Sequence, residues 1–257
     1  MDHPIPRLPA GGAQVWWATP THGTDERTDL RALLDAREHT RWQRLRLPAS
    51  RALYLTAHAL ARKVLGAHVG RPPQLLEFSA VCAHCGGPHG KPQLLAPGDW
   101  QLSLSHSGQR VAVAVARGAP LGVDVEQVTG RPDDLVETVL TEAEREALAG
   151  CPPGDRAAGF IRYWTRKESA LKATGDGVMI EPVQLSVSPP DAEAELLAWR
   201  ARPRPLVLPH LTDLAPGPGY RACLAVLGPP PRVTEHDASP LLLPSPVPVG
   251  AGAGAGV

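Results

Sequence analysis

The 257-residue chain carries no net charge, because 26 Lys and Arg residues balance 26 Asp and Glu residues. That absence argues against a protein held mainly by long-range attraction to nucleic acid. No run of 18 or more apolar residues occurs, which excludes a membrane-spanning helix, and the Pro-rich N-terminus lacks the apolar region of a signal peptide. Four cysteines (Cys82, Cys85, Cys151 and Cys223) are too few for a disulfide framework in a chain of this size. These absences predict a soluble, cytoplasmic protein. Lysine is the scarcest charged residue: 22 of the basic residues are Arg, leaving Lys63, Lys91, Lys167 and Lys172. Such a skew reflects a GC-rich coding sequence, so each lysine that remains is a candidate for a specific role.

What is present suffices for a core: 43% of residues are hydrophobic, enough for one large domain or two of ordinary size. The neutral total hides an asymmetry. Residues 1–117 carry 14 basic and 8 acidic side chains, a net of +6, whereas residues 118–228 carry 11 and 16, a net of −5. Helical patterns over 29–46 and 50–65, the latter ended by Gly66, precede strands at 101–105, 110–116 and 121–125. A capping box at Thr141–Glu144 opens a helix that stops at Gly150, and a longer helix runs from about 155 to 174. Strands near 183–187, 195–199 and 221–227 follow. The expected fold class is therefore α+β. Residues 1–117 and 118–228 form two subdomains joined near Arg117–Pro120. The Pro/Ala/Gly-rich segment 229–257 reads as a disordered tail.

Six segments bear on chemistry. In Leu121-Gly-Val-Asp-Val-Glu126, the period-two geometry of a strand aims both carboxylates at one face. The pair either reaches solvent at a strand end or supplies oxygen ligands to Mg²⁺. On the helix at Phe160–Lys172, Trp164, Glu168 and Lys172 are four apart and share a face; Glu168 and Lys172 are a surface pair or a functional one. The Ser105-His106-Ser107 turn lacks the GxSxG of a hydrolase elbow, and phosphate or nucleotide contacts suit Ser105 and His106 better. Gly90-Lys91-Pro92 sets a scarce lysine in a constrained loop. Arg37, Arg41 and Arg44 share a helical face near Arg46 and Arg51, suited to phosphate or to solvent. A Cys82-x₂-Cys85 pair with His84 and His89 is a zinc site short of an evident fourth ligand, or a loop with reduced cysteines.

These motifs, GVDVE, W-x-x-K-E-S-x-x-K at Trp164–Lys172, SHS and GKP, stand in an order that resembles the 4′-phosphopantetheinyl transferases of the surfactin-synthetase-activating type, over residues 15–228. The resemblance implies two similar α/β halves in a pseudo-twofold arrangement with the active site in the cleft between them. It implies transfer of the 4′-phosphopantetheine group of coenzyme A to a serine of an apo acyl or peptidyl carrier protein, as in polyketide and nonribosomal peptide biosynthesis. Adenosine 3′,5′-bisphosphate is released. By match, Asp124, Glu126 and Glu168 would hold Mg²⁺, Glu168 would accept the serine proton, and Lys172 would neutralise charge on the pyrophosphate. Arg44, Arg51, Lys91, Pro92, Ser105 and His106 would bind coenzyme A together with Lys172. Leu135, Val136 and Val139 would offer an apolar patch to the carrier or form a buried amphipathic turn, and the chain is expected to be a monomer. The competing readings are a Mg²⁺-dependent hydrolase of a nucleotide-like pyrophosphate and a non-catalytic coenzyme A-binding protein.

Overall fold

The charged stretch 29–46 folds as two helices: the first closes at Ala32, and Asp35 starts the next, its side chain accepting from Glu38 N–H while the Glu38 carboxylate accepts from Asp35 N–H. The computed structural model describes residues 5–82, 85–87, 90–129, 135–200 and 207–244. In chain order these form β1 (Gly12–Ala18), α1 (Thr28–Arg31), α2 (Ala36–Arg44), α3 (Pro48–Val69), β2 (Phe78–Ser79), β3 (Gln93–Leu94), β4 (Trp100–Ser107), β5 (Arg110–Arg117) and β6 (Leu121–Gln127). Then come α4 (Val136–Val139), α5 (Glu142–Gly150), α6 (Arg156–Thr174), β7 (Leu185–Val187), β8 (Leu196–Trp199), β9 (Pro209–Asp213), β10 (Tyr220–Leu227) and β11 (Arg232–Asp237).

The fold is mixed α/β. One sheet has the order β11-β1-β5-β4, with β11 parallel to β1 and the other pairs antiparallel. A second, antiparallel sheet has the order β6-β10-β9, and two-stranded ribbons β2-β3 and β7-β8 flank them. Alternation along each strand divides the core. On the first sheet Trp16, Val111, Val113 and Val115 face α3, through Leu55, Leu60 and Val64. On the second, Cys223 and Ala225 face α6, through Phe160, Ala170 and Leu171. Val15, Ala112 and Ala114 from the first sheet meet Leu121, Val123, Val125 and Leu224 from the second in a shared cluster. The predicted join therefore falls between β5 and β6, and the two halves still share a core.

Three cations are buried in this frame. Arg62 is bound by Asp35 and Glu38 and by the carbonyls of Pro73 and Leu76, which locks α2 to α3. Arg166 pairs with Asp213 and donates to the carbonyls of Ser188, Pro189 and Ala192. Lys167 is held by Glu144 and by the carbonyl of Val139. Removing one partner from such a pair costs about 3–5 kcal/mol, since the other charge is then stranded.

The structure corrects three expectations. Gly66 lies inside α3, which runs on to a left-handed Gly70; a Cβ on Gly66 would press into the backbone of Arg71. Residues 105–107 end β4, and the turn itself is made at Gly108, with φ 54°. The segment from 229 is not wholly a tail: β11 adds a parallel edge strand to β1, and Ala238 and Leu242 are buried in the α3-side cluster. Lys63 and Arg27 anchor it by donating to the carbonyls of Leu241 and Leu242. Glu235 accepts from Trp17 Nε1 and Ala215 N–H, tying β11 to both sheets. The proline and glycine content of 229–257 concealed six residues of strand, which depend on β1 for hydrogen-bond partners. Residues 245–257 lie outside the described residues.

Gly122 is the closest point between β6 and α6: a Cβ there would drive into the backbone of Ser169, Lys172 and Ala173. Gly122→Ala is expected to destabilise by about 3 kcal/mol through overpacking, read as a lower urea midpoint with an unchanged slope. Deleting 229–257 is expected to lower Tm by about 10 °C and to promote aggregation through the exposed β1 edge, read by thermal unfolding and gel filtration.

Candidate active site

The two sheets meet where β4 runs alongside β6, and serines make the junction. Strand period two puts Ser103, Ser105 and Ser107 on one side of β4. Their hydroxyls accept from the backbone N–H groups of Val123, Val125 and Gln127 at 3.0, 3.3 and 3.1 Å. Hydroxyls thus satisfy an edge of β6 that would otherwise need another strand. Two of them also donate to carboxylates: Ser105 to Asp124 Oδ1 at 2.9 Å and Ser107 to Glu126 Oε2 at 2.6 Å.

Asp124 and Glu126 lie on the same face of β6, as their spacing predicts, with Val123 and Val125 in the core behind. Opposite them α6 presents Trp164, Glu168 and Lys172, one helical turn apart. Lys172 Nζ donates to Asp124 Oδ1 at 2.6 Å and to Ser105 Oγ at 3.0 Å. A cleft of about 290 Å³ opens here, lined by Ala57 and His58 of α3, Leu104 to His106 of β4, the two β6 carboxylates and the three α6 side chains.

Electrostatics in the cleft are unbalanced. Burial, with Asp124 and Glu126 as near negative charges, pushes the Glu168 carboxyl up to about 7 against the opposing pull of Lys172. Burial and Asp124 also raise Glu126, whose Ser107 hydrogen bond opposes the shift. His106 lies below the ordinary imidazole value, chiefly through desolvation and also through the nearby charge of Lys172. Asp124 is 2% exposed, and its Oδ2 is buried without a hydrogen-bond partner. An orphaned carboxylate oxygen beside two carboxylates with raised pKa values fits a hard divalent cation, which takes oxygen ligands. Among the described residues no three His, Cys, Asp or Glu side chains stand close enough together to hold a metal ion, and Lys172 is the counter-charge of Asp124.

The other expected residues lie elsewhere. Lys91 Nζ donates to the carbonyls of Leu121 and Ala173 at 2.7 and 3.2 Å, clasping the loop of the first half to the end of α6. Burial there lowers its pKa to about 8. Neither Lys91 nor Pro92 lines the cleft. Arg51 caps α2 through the Leu45 carbonyl at 2.8 Å and stacks over Trp42, and Arg44 is exposed on α2. Val139 is buried in the α6-side core, which takes it out of any docking patch, while Leu135 is 38% exposed. His84 and His89 lie outside the described residues, so the expected Cys/His cluster is seen only as Cys82 and Cys85 in a turn closed by Cys82 N–H to Gly87 O. His58 escaped sequence reading. Its only signal was the spacing of four from Tyr54, on which its ring stacks with centroids 3.9 Å apart.

The cleft thus gathers three carboxylates, a lysine and two imidazoles around one space. Residues 120–225 match the family model of the 4′-phosphopantetheinyl transferase superfamily. The 4′-phosphopantetheinyl transferase HetI of Nostoc sp. is 29% identical over 208 residues, covering 78% of this chain and 81% of that protein. The 4′-phosphopantetheinyl transferase psf-1 of Bacillus pumilus is 31% identical over 121 residues, 46% of this chain and 50% of that one. A solved holo-(acyl-carrier-protein) synthase from Bacillus anthracis, in complex with coenzyme A, is similar at 20% identity and a TM-score of 0.36, over 42% of this chain and 94% of that chain. The chain is thus similar to 4′-phosphopantetheinyl transferases, and it is a transferase.

The raised pKa of Glu168 has a stability consequence. A carboxyl raised in the folded state favours folding below its unfolded value of 4.5, and that contribution is lost as pH rises through about 7. Glu168→Gln is therefore expected to unfold at a higher temperature than the parent at pH 8, with the gap closing toward pH 4. Equal Tm values at pH 8 would refute the burial of this charge.

Proposed function

We propose that this chain is a phosphopantetheinyl transferase of the surfactin-synthetase-activating type, built as two pseudo-twofold α/β halves and acting as a monomer. It transfers the 4′-phosphopantetheine group of coenzyme A to a serine hydroxyl of an apo acyl or peptidyl carrier protein. The observation that carries this reading is the gathering of Asp124, Glu126, Glu168 and Lys172 in one cleft. Phosphoryl transfer asks chiefly for positioning and charge neutralisation, and this cleft supplies groups for both.

In this reading Asp124, Glu126 and Glu168 would hold Mg²⁺, which would supply charge neutralisation for the pyrophosphate. Glu168, which lines the cleft and has no hydrogen bond of its own among the described residues, accepts the proton of the carrier serine. The serine oxygen forms the new bond to the phosphorus that bears the pantetheine arm. The pyrophosphate bridge breaks, and adenosine 3′,5′-bisphosphate leaves with the bridging oxygen. Lys172 turns from Asp124 and Ser105 toward the negative charge that grows on the leaving phosphate. His106 binds the nucleotide end, with Arg44 on the open surface beyond. Lys91 and Arg51 support it indirectly, the first by closing the loop against α6 and the second by fixing the end of α2. Ser105 acts chiefly by orienting Asp124. The carrier approaches beside Leu135, and carriers of polyketide or nonribosomal peptide synthesis suit the resemblance.

The test incubates purified apo-carrier with coenzyme A, Mg²⁺ and this protein, and reads the carrier by mass spectrometry. A gain of about 340 Da marks covalent group transfer; consumption of coenzyme A without that gain indicates hydrolysis instead. Asp124→Asn, which preserves shape and removes charge, is expected to lower kcat/KM by about a thousandfold. Full activity in that variant would remove Asp124 from the metal set.

A further inference from the structure

The cleft has two chemically different walls. On the β6 and α6 side stand the carboxylates with Lys172; on the α3 and β4 side stand two imidazoles, His58 and His106. His58 lies outside all four motifs of the resemblance. Its surroundings nevertheless fix it in place. Nδ1 bonds Glu38 Oε1 at 2.9 Å, and the ring stacks on Tyr54 at an interplanar angle of 24°. Glu38 cannot turn away to follow another partner, because its Oε2 accepts from Arg62 Nε at 2.7 Å and from Asp35 N–H at 3.0 Å. Arg62 in turn is wholly buried and paired with Asp35 at 2.8 Å.

The ring is therefore held at one nitrogen and in its plane, while Nε2 has no hydrogen-bond partner among the described residues and the side chain lines the cleft. An imidazole clamped in this way is preorganised for a single further contact. The contact must suit a site whose facing wall is already acidic. A cation would be better served by the three carboxylates, and a neutral donor would not need the Glu38 clamp. An anion placed at Nε2 completes an imidazolium with an acceptor on each nitrogen, the carboxylate of Glu38 on Nδ1 and the anion on Nε2. The nearby His58 is felt at His106, where it adds to the lowering of that imidazole's pKa.

We infer that His58 is a binding residue for a phosphate of coenzyme A, positioned for that task by the buried Glu38–Arg62–Asp35 cluster. The inference rests on the function proposed above and adds to it a contact from α3, an element that the motifs leave out. The phosphate is either the 3′-phosphate of the ribose or the pyrophosphate; both present the same acceptor chemistry to Nε2.

Calorimetric titration of the full chain with coenzyme A and with dephospho-coenzyme A, without metal, tests it. His58→Gln keeps a polar side chain of similar reach and removes the cationic donor, and it is expected to weaken coenzyme A binding about tenfold. His58→Arg restores a donor and is expected to bind within about twofold of the parent. If the tenfold difference disappears with dephospho-coenzyme A, the contact is to the 3′-phosphate; if it persists, it is to the pyrophosphate. Both outcomes support the assignment. Unchanged affinity of His58→Gln for both ligands overturns it. So does an equal loss in the Gln and Arg variants accompanied by a fall in Tm, which would make His58 a scaffold residue. Failure of the unsubstituted protein to bind coenzyme A at all would instead overturn the proposed function.

Discussion

The junction of β4 with β6 is the contact on which the rest of this structure depends. Two sheets that end side by side must satisfy the outward N–H groups of the bordering strand, and here hydroxyls do so at every second residue. A backbone ladder would have merged the strands into one flat sheet. Serines leave a step between them, and the step forms the floor of the cleft. Two of the same hydroxyls reach on to Asp124 and Glu126, so the group that joins the sheets also aims the carboxylates. Gly122, one residue before this stretch, lets α6 come close enough for Lys172 and Glu168 to face them.

That closeness has an electrostatic cost that the fold accepts. Three carboxylates converge with one lysine among them, and the result is visible in the raised Glu168 and Glu126. A protein selected only for stability would replace one of these acids; the strain is relieved by whatever positive charge the cleft takes up. The three buried cations Arg62, Arg166 and Lys167 behave differently. Each is matched by its own carboxylate and by carbonyls, and each joins elements: α2 to α3, α6 to β9, and α6 to α5. Clamped scaffolding surrounds an under-compensated centre, and the rigid part fixes the geometry of the strained part.

Much of the site was legible in the sequence because it obeys short periods. Two acids two apart on a strand, and three side chains four apart on a helix, must share a face whatever else happens, and they do. The count of scarce lysines was a weaker guide. Lys172 lies in the cleft, yet Lys167, its neighbour in the same motif, is buried against Glu144, and Lys91 binds carbonyls. Scarcity marks a lysine as specific without saying whether its partner is a substrate or the chain itself. The arginines of α2 misled for a related reason: a shared helical face fixes direction, and only packing decides whether that direction is toward the cleft or toward solvent.

What the sequence by itself determined, then, is whatever depends on neighbours within about one helical turn: the capping box at Thr141, the helix ended at Gly175, the paired acids and the α6 face. Tertiary structure alone decided what depends on distant partners. The strand β11 exists because β1 offers it a ladder more than 200 residues away in the chain, and no local pattern in a Pro- and Gly-rich segment encodes that. His58 became part of the site only when α3 was laid beside β4 and α6. The charge asymmetry of +6 against −5 is a property of composition; that imidazoles, which the count leaves neutral, face the carboxylates across the cleft is a property of packing. Local interactions are short in sequence and can be read there, whereas a cleft is made of contacts whose loop-closing entropy only the assembled core offsets.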